Sequence, residues 1–259
     1  MRNRNIAKAF AFILVIALIY LIGYGIYRDK LNSKRATEAI QAQKLTKEDS
    51  KEDTEVDTEV INDNTLKYKD KNWMAIGDEI TKNNQYQKYV VEACEFDSVL
   101  TTAQSGIPLH LMDDKVTAEL LKDIDVVTIF AGINDFSLDR QLGTIDDSTL
   151  MDTFYSDMKA VIENLQKIKP KMEIVFITTP YVGRDGFGFT KNNVGNTLVD
   201  YTKAMNEVCD SYDIPILDLQ ANSGINENNL VEYSDDSAHP NEAGMELIGK
   251  QIGEFMNKL

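Results

Sequence analysis

The stretch DVVTIFA, which runs from Asp125 to Ala131, decides the fold class of this 259-residue chain. Its Val, Ile and Phe side chains favour extended backbone, and Gly132 follows directly after it. A short apolar run of this kind is typical of a strand in a parallel sheet that is covered by helices on both faces. The sequence therefore predicts a buried strand at 125–131.

Segments with a helical spacing of apolar residues alternate with further strand-like runs on both sides of this strand. Helices are predicted at 85–94, 116–124, 148–168, 196–212 and 241–256, and strands at 73–76, 98–100, 173–178 and 214–217. This alternation predicts an α/β domain with a mainly parallel sheet over residues 72–259.

Four polar clusters follow the predicted strands or lie in loops that can reach their carboxyl ends, where such sheets bind ligands. They are Gly77-Asp78-Glu79-Ile80-Thr81, Ser105-Gly106, Gly132-Ile133-Asn134-Asp135 and Asp236-Ser237-Ala238-His239-Pro240. Each cluster is weak evidence alone, because Gly-Asp after a strand is usually only a turn. Their order and placement together are more specific.

The chain has two histidines, and His239 is the candidate for chemistry. Asp236 precedes it by three residues, and an acidic partner can fix the tautomer of an imidazole that acts as a general base. The alternative is a helix N-terminus that happens to carry a histidine. His110 is predicted to be a loop or helix-entry residue without chemistry.

Taken in order, the four clusters resemble the four sequence blocks of the SGNH (GDSL-type) hydrolases, over roughly residues 72–259. The resemblance implies a flavodoxin-like three-layer α/β/α sandwich that hydrolyses esters, thioesters or acylated sugars. It also implies site roles, with His239 as general base and Asp236 as its orienting acid. The Gly106 amide and the Asn134 side chain are the implied oxyanion-hole donors, since both groups can donate to an oxygen that gains charge.

Asp78 and Asp135 are the implied supporting residues of the same site. No cofactor is expected. No metal is expected either, because the chain has no second histidine beside the site and no Asp-x-Asp-x-Asp-Gly loop.

Glu79 departs from the family pattern, because the resemblance implies a nucleophilic serine at this position. A carboxylate has no hydroxyl proton for His239 to remove, so the usual serine mechanism cannot run through it. Three explanations stay open. Glu79 acts as a general base or an unusual nucleophile with His239 as proton donor; another serine (Ser105, Ser137 or Ser237) replaces the missing one; or the site binds without catalysing.

The prediction is accordingly an SGNH/GDSL-like ester hydrolase with a non-standard Glu79, acting on a small acyl ester or an acylated glycan or lipid. The alternative is a catalytically inactive binding module, a pseudo-enzyme, for acylated glycans or cell-wall polymer.

The N-terminal part predicts a membrane anchor. Residues 9–27 contain no charged side chain and are almost wholly apolar, and about 20 such residues span a bilayer core. A cleaved signal peptide is the competing interpretation, but Gly25-Ile26-Tyr27 is a poor cleavage site. We predict an 8-residue tail (1–8), a transmembrane signal anchor (9–27) and an extracellular C-terminal domain. Basic residues flank the span on both sides, so their distribution does not decide which side of the membrane the domain occupies. The predicted extracellular location depends instead on the short leading tail.

Residues 28–71 are charged and poor in large apolar side chains, which predicts a flexible acidic linker. The formal net charge of −15 argues against nucleic acid as a partner. Cys94 and Cys209 are too few for a disulfide framework, and we expect them to be small buried hydrophobes.

Overall fold

The computed structural model describes residues 66–83, 85–183 and 190–259. In these residues five strands form one sheet in the order β2-β1-β3-β4-β5, and every neighbouring pair is parallel. The strands are β1 (Asn72–Gly77), β2 (Ser98–Ala103), β3 (Val126–Ala131), β4 (Glu173–Thr178) and β5 (Ile216–Leu217). This strand order is that of a flavodoxin-like doubly wound sheet.

The helices connect the strands and close the domain. They are α1 (Glu79–Lys82), α2 (Gln87–Cys94), α3 (Leu109–Met112), α4 (Ala118–Leu121), α5 (Ile133–Ser137), α6 (Phe154–Ile168), α7 (Leu198–Ser211), α8 (Leu219–Asn222), α9 (Leu230–Tyr233) and α10 (Glu242–Met256). A 3₁₀ turn, Asp113–Lys115, follows α3 directly.

Side chains alternate between the two faces of the sheet, and each face carries its own apolar cluster. Met74 and Ile76 of β1 join the buried residues of α6 and α7 on one face. Trp73 and Ala75 join those of α2 and α10 on the other. The predicted parallel α/β fold is therefore confirmed, with helices on both faces of the sheet. Every residue of β3 is buried, as its apolar sequence indicates.

Several predicted elements have different bounds. The predicted helix at 148–168 is wrong at its start, because α6 begins at Phe154. Thr153 is its N-cap and accepts a hydrogen bond from the Ser156 amide at 3.3 Å, while the Thr153 hydroxyl donates to Asp147 at 2.7 Å. The helix predicted at 116–124 is reduced to α4, and β2 extends three residues further than predicted, to Ala103.

Helix α10 packs against α2 through two glycines. A Cβ atom on Gly253 would lie 2.5 Å from the Cβ of Ala93, and one on Gly249 would lie 2.5 Å from the Tyr86 carbonyl oxygen. Only glycine permits so close an approach of the two backbones. Asn241 caps α10 by accepting from the Gly244 amide at 3.1 Å, which fixes the chain directly after His239.

The predicted tail (1–8), anchor (9–27) and most of the predicted linker (28–71) lie outside the described residues. Within the part of the chain that the structure describes, no helix is both long and apolar enough to cross a membrane. Tyr68 belongs to the core although it precedes residue 72, the start of the predicted domain. Cys94 and Cys209 are buried and unlinked, as expected of small hydrophobic side chains.

Candidate active site

The turn that follows β1 presents Glu79 at the edge of the sheet. Asp78 is the N-cap of α1, and its Oδ1 accepts a hydrogen bond from the Ile80 amide at 3.0 Å. Gly77 is required before it, because a Cβ there would lie 2.3 Å from the Thr81 hydroxyl oxygen. Glu79 is therefore the first residue of a short helix, and its side chain extends from the end of β1.

The Glu79 carboxylate accepts hydrogen bonds from both predicted donors. Its Oε2 is 2.9 Å from the Gly106 amide nitrogen and 3.4 Å from Nδ2 of Asn134. Gly106 has φ +71°, a conformation that favours glycine. Gly132 has φ +110° and leads from β3 into α5, the helix that carries Asn134. The turns after β1, β2 and β3 thus meet at one carboxylate oxygen.

His239 is held by Asp236 within a four-residue loop. The ring Nδ1 is 2.6 Å from Asp236 Oδ2, and Asp236 Oδ1 accepts from the amides of Ala238 and His239 at 3.0 and 2.7 Å. These hydrogen bonds, with the one from the His239 ring the strongest, hold the pKa of Asp236 well below its usual range. A carboxylate held in this way fixes the orientation of the ring.

The other ring nitrogen faces Glu79. Nε2 of His239 lies 3.8 Å from Glu79 Oε1, so Glu79 stands between the imidazole and the two donors. The structure therefore brings together all five residues that the sequence predicts at the centre of the site. They are Glu79, Gly106, Asn134, Asp236 and His239.

The two predicted supporting residues lie beneath this surface rather than on it. Asp78 and Asp135 are fully buried. Burial, and then the charge of Glu79, raises the pKa of Asp78 to about 8. Burial raises the pKa of Asp135 to about 7, and both of its carboxylate oxygens accept from the Leu109 amide, at 3.0 and 3.1 Å. Sequence reasoning missed this link, because α3 is too short to leave a periodic signal.

The side chains of two of the three candidate replacement serines have other partners. The Ser137 hydroxyl donates to the Ile133 carbonyl at 2.7 Å within α5. Ser105 Oγ lies 3.5 Å from the Lys82 ammonium group, and Ser237 forms the turn of the His239 loop with φ +64°. Glu79 remains the side chain opposite the imidazole.

One group of potential metal ligands occurs among the described residues: His110, Asp135 and Asp157, with ligand atoms within 4.8 Å of one another. Arg140 already donates to both oxygens of Asp157, at 2.6 and 2.8 Å. The guanidinium supplies the positive charge that a metal ion would bring, so this group fits an ion poorly. His110 is the second residue of α3, in its first turn, which agrees with the predicted helix-entry position.

An imidazole oriented by a carboxylate, opposite two N–H donors that share one acceptor, is the kind of site that acts on acyl groups. Residues 60–247 match the model of the GDSL-like Lipase/Acylhydrolase family, which is well over half of the chain. The chain belongs to this family. At the level of the family, its membership supports ester hydrolysis.

Solved structures share the fold. A protein from Lactobacillus plantarum is 25% identical, with a TM-score of 0.65, and the match covers 73% of this chain and 98% of that one. A lipase/acylhydrolase from Enterococcus faecalis is 21% identical, with a TM-score of 0.55 and 73% and 96% coverage. An acetyl xylan esterase is 20% identical, with a TM-score of 0.53 and 71% and 98% coverage. A comparison with curated proteins gives no match.

Proposed function

We propose that this chain is a membrane-anchored, extracytoplasmic protein whose GDSL-type domain binds acyl esters, and that Glu79 closes the serine route of hydrolysis. One observation carries the proposal: Glu79 Oε2 accepts from Gly106 and Asn134 at 2.9 and 3.4 Å. By the family pattern, these two groups receive the carbonyl oxygen of the ester. Glu79 fills that place itself, at the position where the pattern has the nucleophile.

Glu79 opposes ester hydrolysis in two ways: it lacks a hydroxyl group, and it carries a negative charge. Two like charges about 4 Å apart repel by about 4 kcal/mol at the effective dielectric constant of a protein surface. When negative charge develops on the ester oxygen beside Glu79, this repulsion would raise the activation free energy by about the same amount. The rate of hydrolysis would then fall about a thousandfold. A neutral ester that displaces the carboxylate from the donors meets no such repulsion. Binding is therefore favoured over turnover.

A second function has its own supporting observation, which is the retained pairing of His239 with Asp236 at 2.6 Å. In this alternative the ester displaces Glu79 from the donors, and the carboxylate takes a proton from a water molecule. The resulting hydroxide attacks the carbonyl carbon, and protonated His239 gives its proton to the departing alkoxide. The products are a carboxylic acid and an alcohol; the proton on Glu79 then returns to His239, and no cofactor is needed.

The openness of the site supports an acyl group that is carried on a larger molecule. Half of the His239 side chain (50%) and 42% of the Asp236 side chain are exposed, whereas Glu79 is 21% exposed. An acyl group can reach Glu79 while the glycan or lipid that carries it stays outside. An acetyl xylan esterase and a lipase/acylhydrolase among the similar structures support these ligand classes.

Glu79→Ser tests the proposal on the purified protein with p-nitrophenyl acetate as substrate. The substitution supplies the hydroxyl and clears both donors, so we expect hydrolysis in the variant and none in the parent. Adding His239→Ala should then lower the rate by at least about 100-fold, because the general base is lost. Glu79→Gln removes the charge without supplying a hydroxyl, and Glu254→Ser adds a serine to the exposed face of α10. Both control variants should stay inactive.

The outcomes separate the two functions. A parent that hydrolyses the ester faster than the Glu79→Ser variant would contradict the proposal and support Glu79 as a catalytic base. Hydrolysis in neither protein, with both folded, would contradict the assignment of Gly106 and Asn134 as ester-oxygen donors.

The membrane topology needs a separate test. Protease added to intact cells should cleave in the acidic segment that precedes the domain and release it. Full protection of the domain would contradict the extracytoplasmic location.

A further inference from the structure

We propose that Asp135 is a positioning residue that holds the Gly106 amide and the Asn134 side chain at a common point. The inference rests on the proposed use of these two groups as donors to an ester oxygen. Asp135 touches neither group. It acts by tying together the two chain segments that carry them.

The Gly106 loop is held at both ends. At its start, the Gln104 amide donates to the Gly77 carbonyl at 3.1 Å, which fixes the loop to the end of β1. At its other end, the Leu109 amide donates to both oxygens of Asp135. Gly106 lies between these two anchors.

The Leu109 amide needs an acceptor from outside its own segment. It is the first amide of α3, and the residue before it is Pro108, whose side chain makes no capping hydrogen bond. The first amides of a helix have no partner within the helix, and Leu109 is fully buried. Asp135, from another segment of the chain, serves as the missing cap.

The other end of the link is equally constrained. Asn134 and Asp135 are consecutive residues of α5, and the Phe136 amide donates to the Gly132 carbonyl at 3.1 Å to close the first turn. The Asn134 side chain extends to Glu79 while the Asp135 side chain extends to Leu109. The position of Asn134 is thus coupled to the Gly106 loop through one buried carboxyl group.

The surroundings of Asp135 support a group that changes its charge near neutral pH. Burial raises its pKa to about 7. The titratable or charged groups that face it come from three helices and two connecting segments: His110, Asp157 and Tyr201 from the helices, and Asp78 and Arg140 from the connections. Hydrogen bonds to an ionised acceptor are the stronger ones, so the link should tighten as pH rises.

The test compares Asp135→Ala and Asp135→Asn with Asp200→Ala. Asp200 is a control, because its carboxylate also accepts a hydrogen bond from a backbone amide at a helix start, from Thr197 at 2.7 Å, but it lies in α7 and does not bond to the Gly106 loop. The first measurement is the ¹H–¹⁵N spectrum of the full chain with Glu79 in place, which needs no hydrolysis. We expect Asp135→Ala to shift the Gly106 amide and Asn134 side-chain signals and to speed amide exchange at Leu109. Asp200→Ala should leave them unchanged.

The second measurement uses the Glu79→Ser background. Asp135→Ala should lower kcat by about 10- to 100-fold with little change in KM, because misplaced donors weaken the transition state more than ground-state binding. Asp135→Asn keeps an acceptor oxygen and should recover most of this loss. In the parent, the Leu109 amide signal should titrate near neutral pH, and Asp135→Asn should abolish that titration.

Unchanged Gly106 and Asn134 signals in Asp135→Ala would overturn the inference, as would equal effects of Asp135→Ala and Asp200→Ala. If Asp135→Ala does not fold, Asp135→Asn decides alone: it loses one of the two acceptor oxygens, so the Leu109 and Gly106 amide signals should shift, and unchanged signals would overturn the inference. An inactive Glu79→Ser protein would contradict the proposed function. The spectra of Asp135→Ala and of the parent, both with Glu79 in place, would still test the role of Asp135.

Discussion

Asp78→Asn should make the domain more stable at neutral pH and should change how its stability depends on pH. Asp78 is fully buried beneath Glu79, and its Oδ2 has no hydrogen-bond partner in the described part of the chain. Its pKa is raised to about 8 in the folded protein, whereas an unfolded aspartate titrates near pH 4. Between these values the folded carboxyl holds a proton that the unfolded chain has lost.

The sign and size of the effect follow from this difference. The stability that the raised pKa contributes is complete below about pH 4 and is lost as pH rises through about 8, at about 1.4 kcal/mol per pH unit. An asparagine does not titrate, and it caps a helix as well as aspartate does. Its NH₂ group would replace the unpaired O–H of the neutral carboxyl. The contributions to the free energy of unfolding that do not depend on pH are therefore nearly equal in the variant and the parent. The stability difference between variant and parent should therefore grow by about 3 kcal/mol from pH 5 to pH 7.

Trp73 provides the assay. It is the single tryptophan of the chain, it is fully buried in β1, and its Nε1 donates to Thr128 at 3.0 Å. Urea unfolding followed by its fluorescence at pH 5, 6, 7 and 8 gives the free energy of unfolding at each pH. Asp123→Asn, at an exposed position, is the control and should show a constant difference from the parent. A difference for Asp78→Asn that is also constant within about 0.5 kcal/mol would refute the reasoning.

The same assay checks three further substitutions. Gly106→Ala should cost about 1 kcal/mol, because φ is +71° while an added Cβ meets no atom within 4 Å; a cost above about 3 kcal/mol would mean that the site is crowded. Asn241→Ala should cost about 1 kcal/mol through the lost cap on the Gly244 amide, and no loss would contradict the capping role. Gly253→Val should cost about 1–3 kcal/mol, because its Cβ would lie 2.5 Å from that of Ala93. An unchanged midpoint would show that α10 can move away from α2.

The sequence predicts the central strands well because burial alone determines them. All six residues of β3 are buried, and its apolar run is visible without any knowledge of its partners. The start of α6 could not be predicted in this way. Apolar spacing continues back to Ser148, but the bond between Thr153 and Asp147 stabilises a turn instead of a helix there.

The sequence predicts which residues form the candidate site, but not how their side chains contact one another. The four clusters could be recognised by their order, because parallel strands end at the same edge of a sheet. The contact of the Glu79 carboxylate with both donors depends on side-chain conformation and on loops that lie 27 and 55 residues away in the chain. The bond between Asp135 and Leu109 has the same origin, so a local pattern contains no sign of it.

The packing of α10 on α2 has a consequence for synthesis. The glycine face of the last helix meets the first long helix of the domain, with about 160 residues between Ala93 and Gly253. One face of the sheet is therefore covered only in part until α10 has left the ribosome. Until α10 packs against α2, the apolar surface that it covers stays exposed and is a substrate for chaperones.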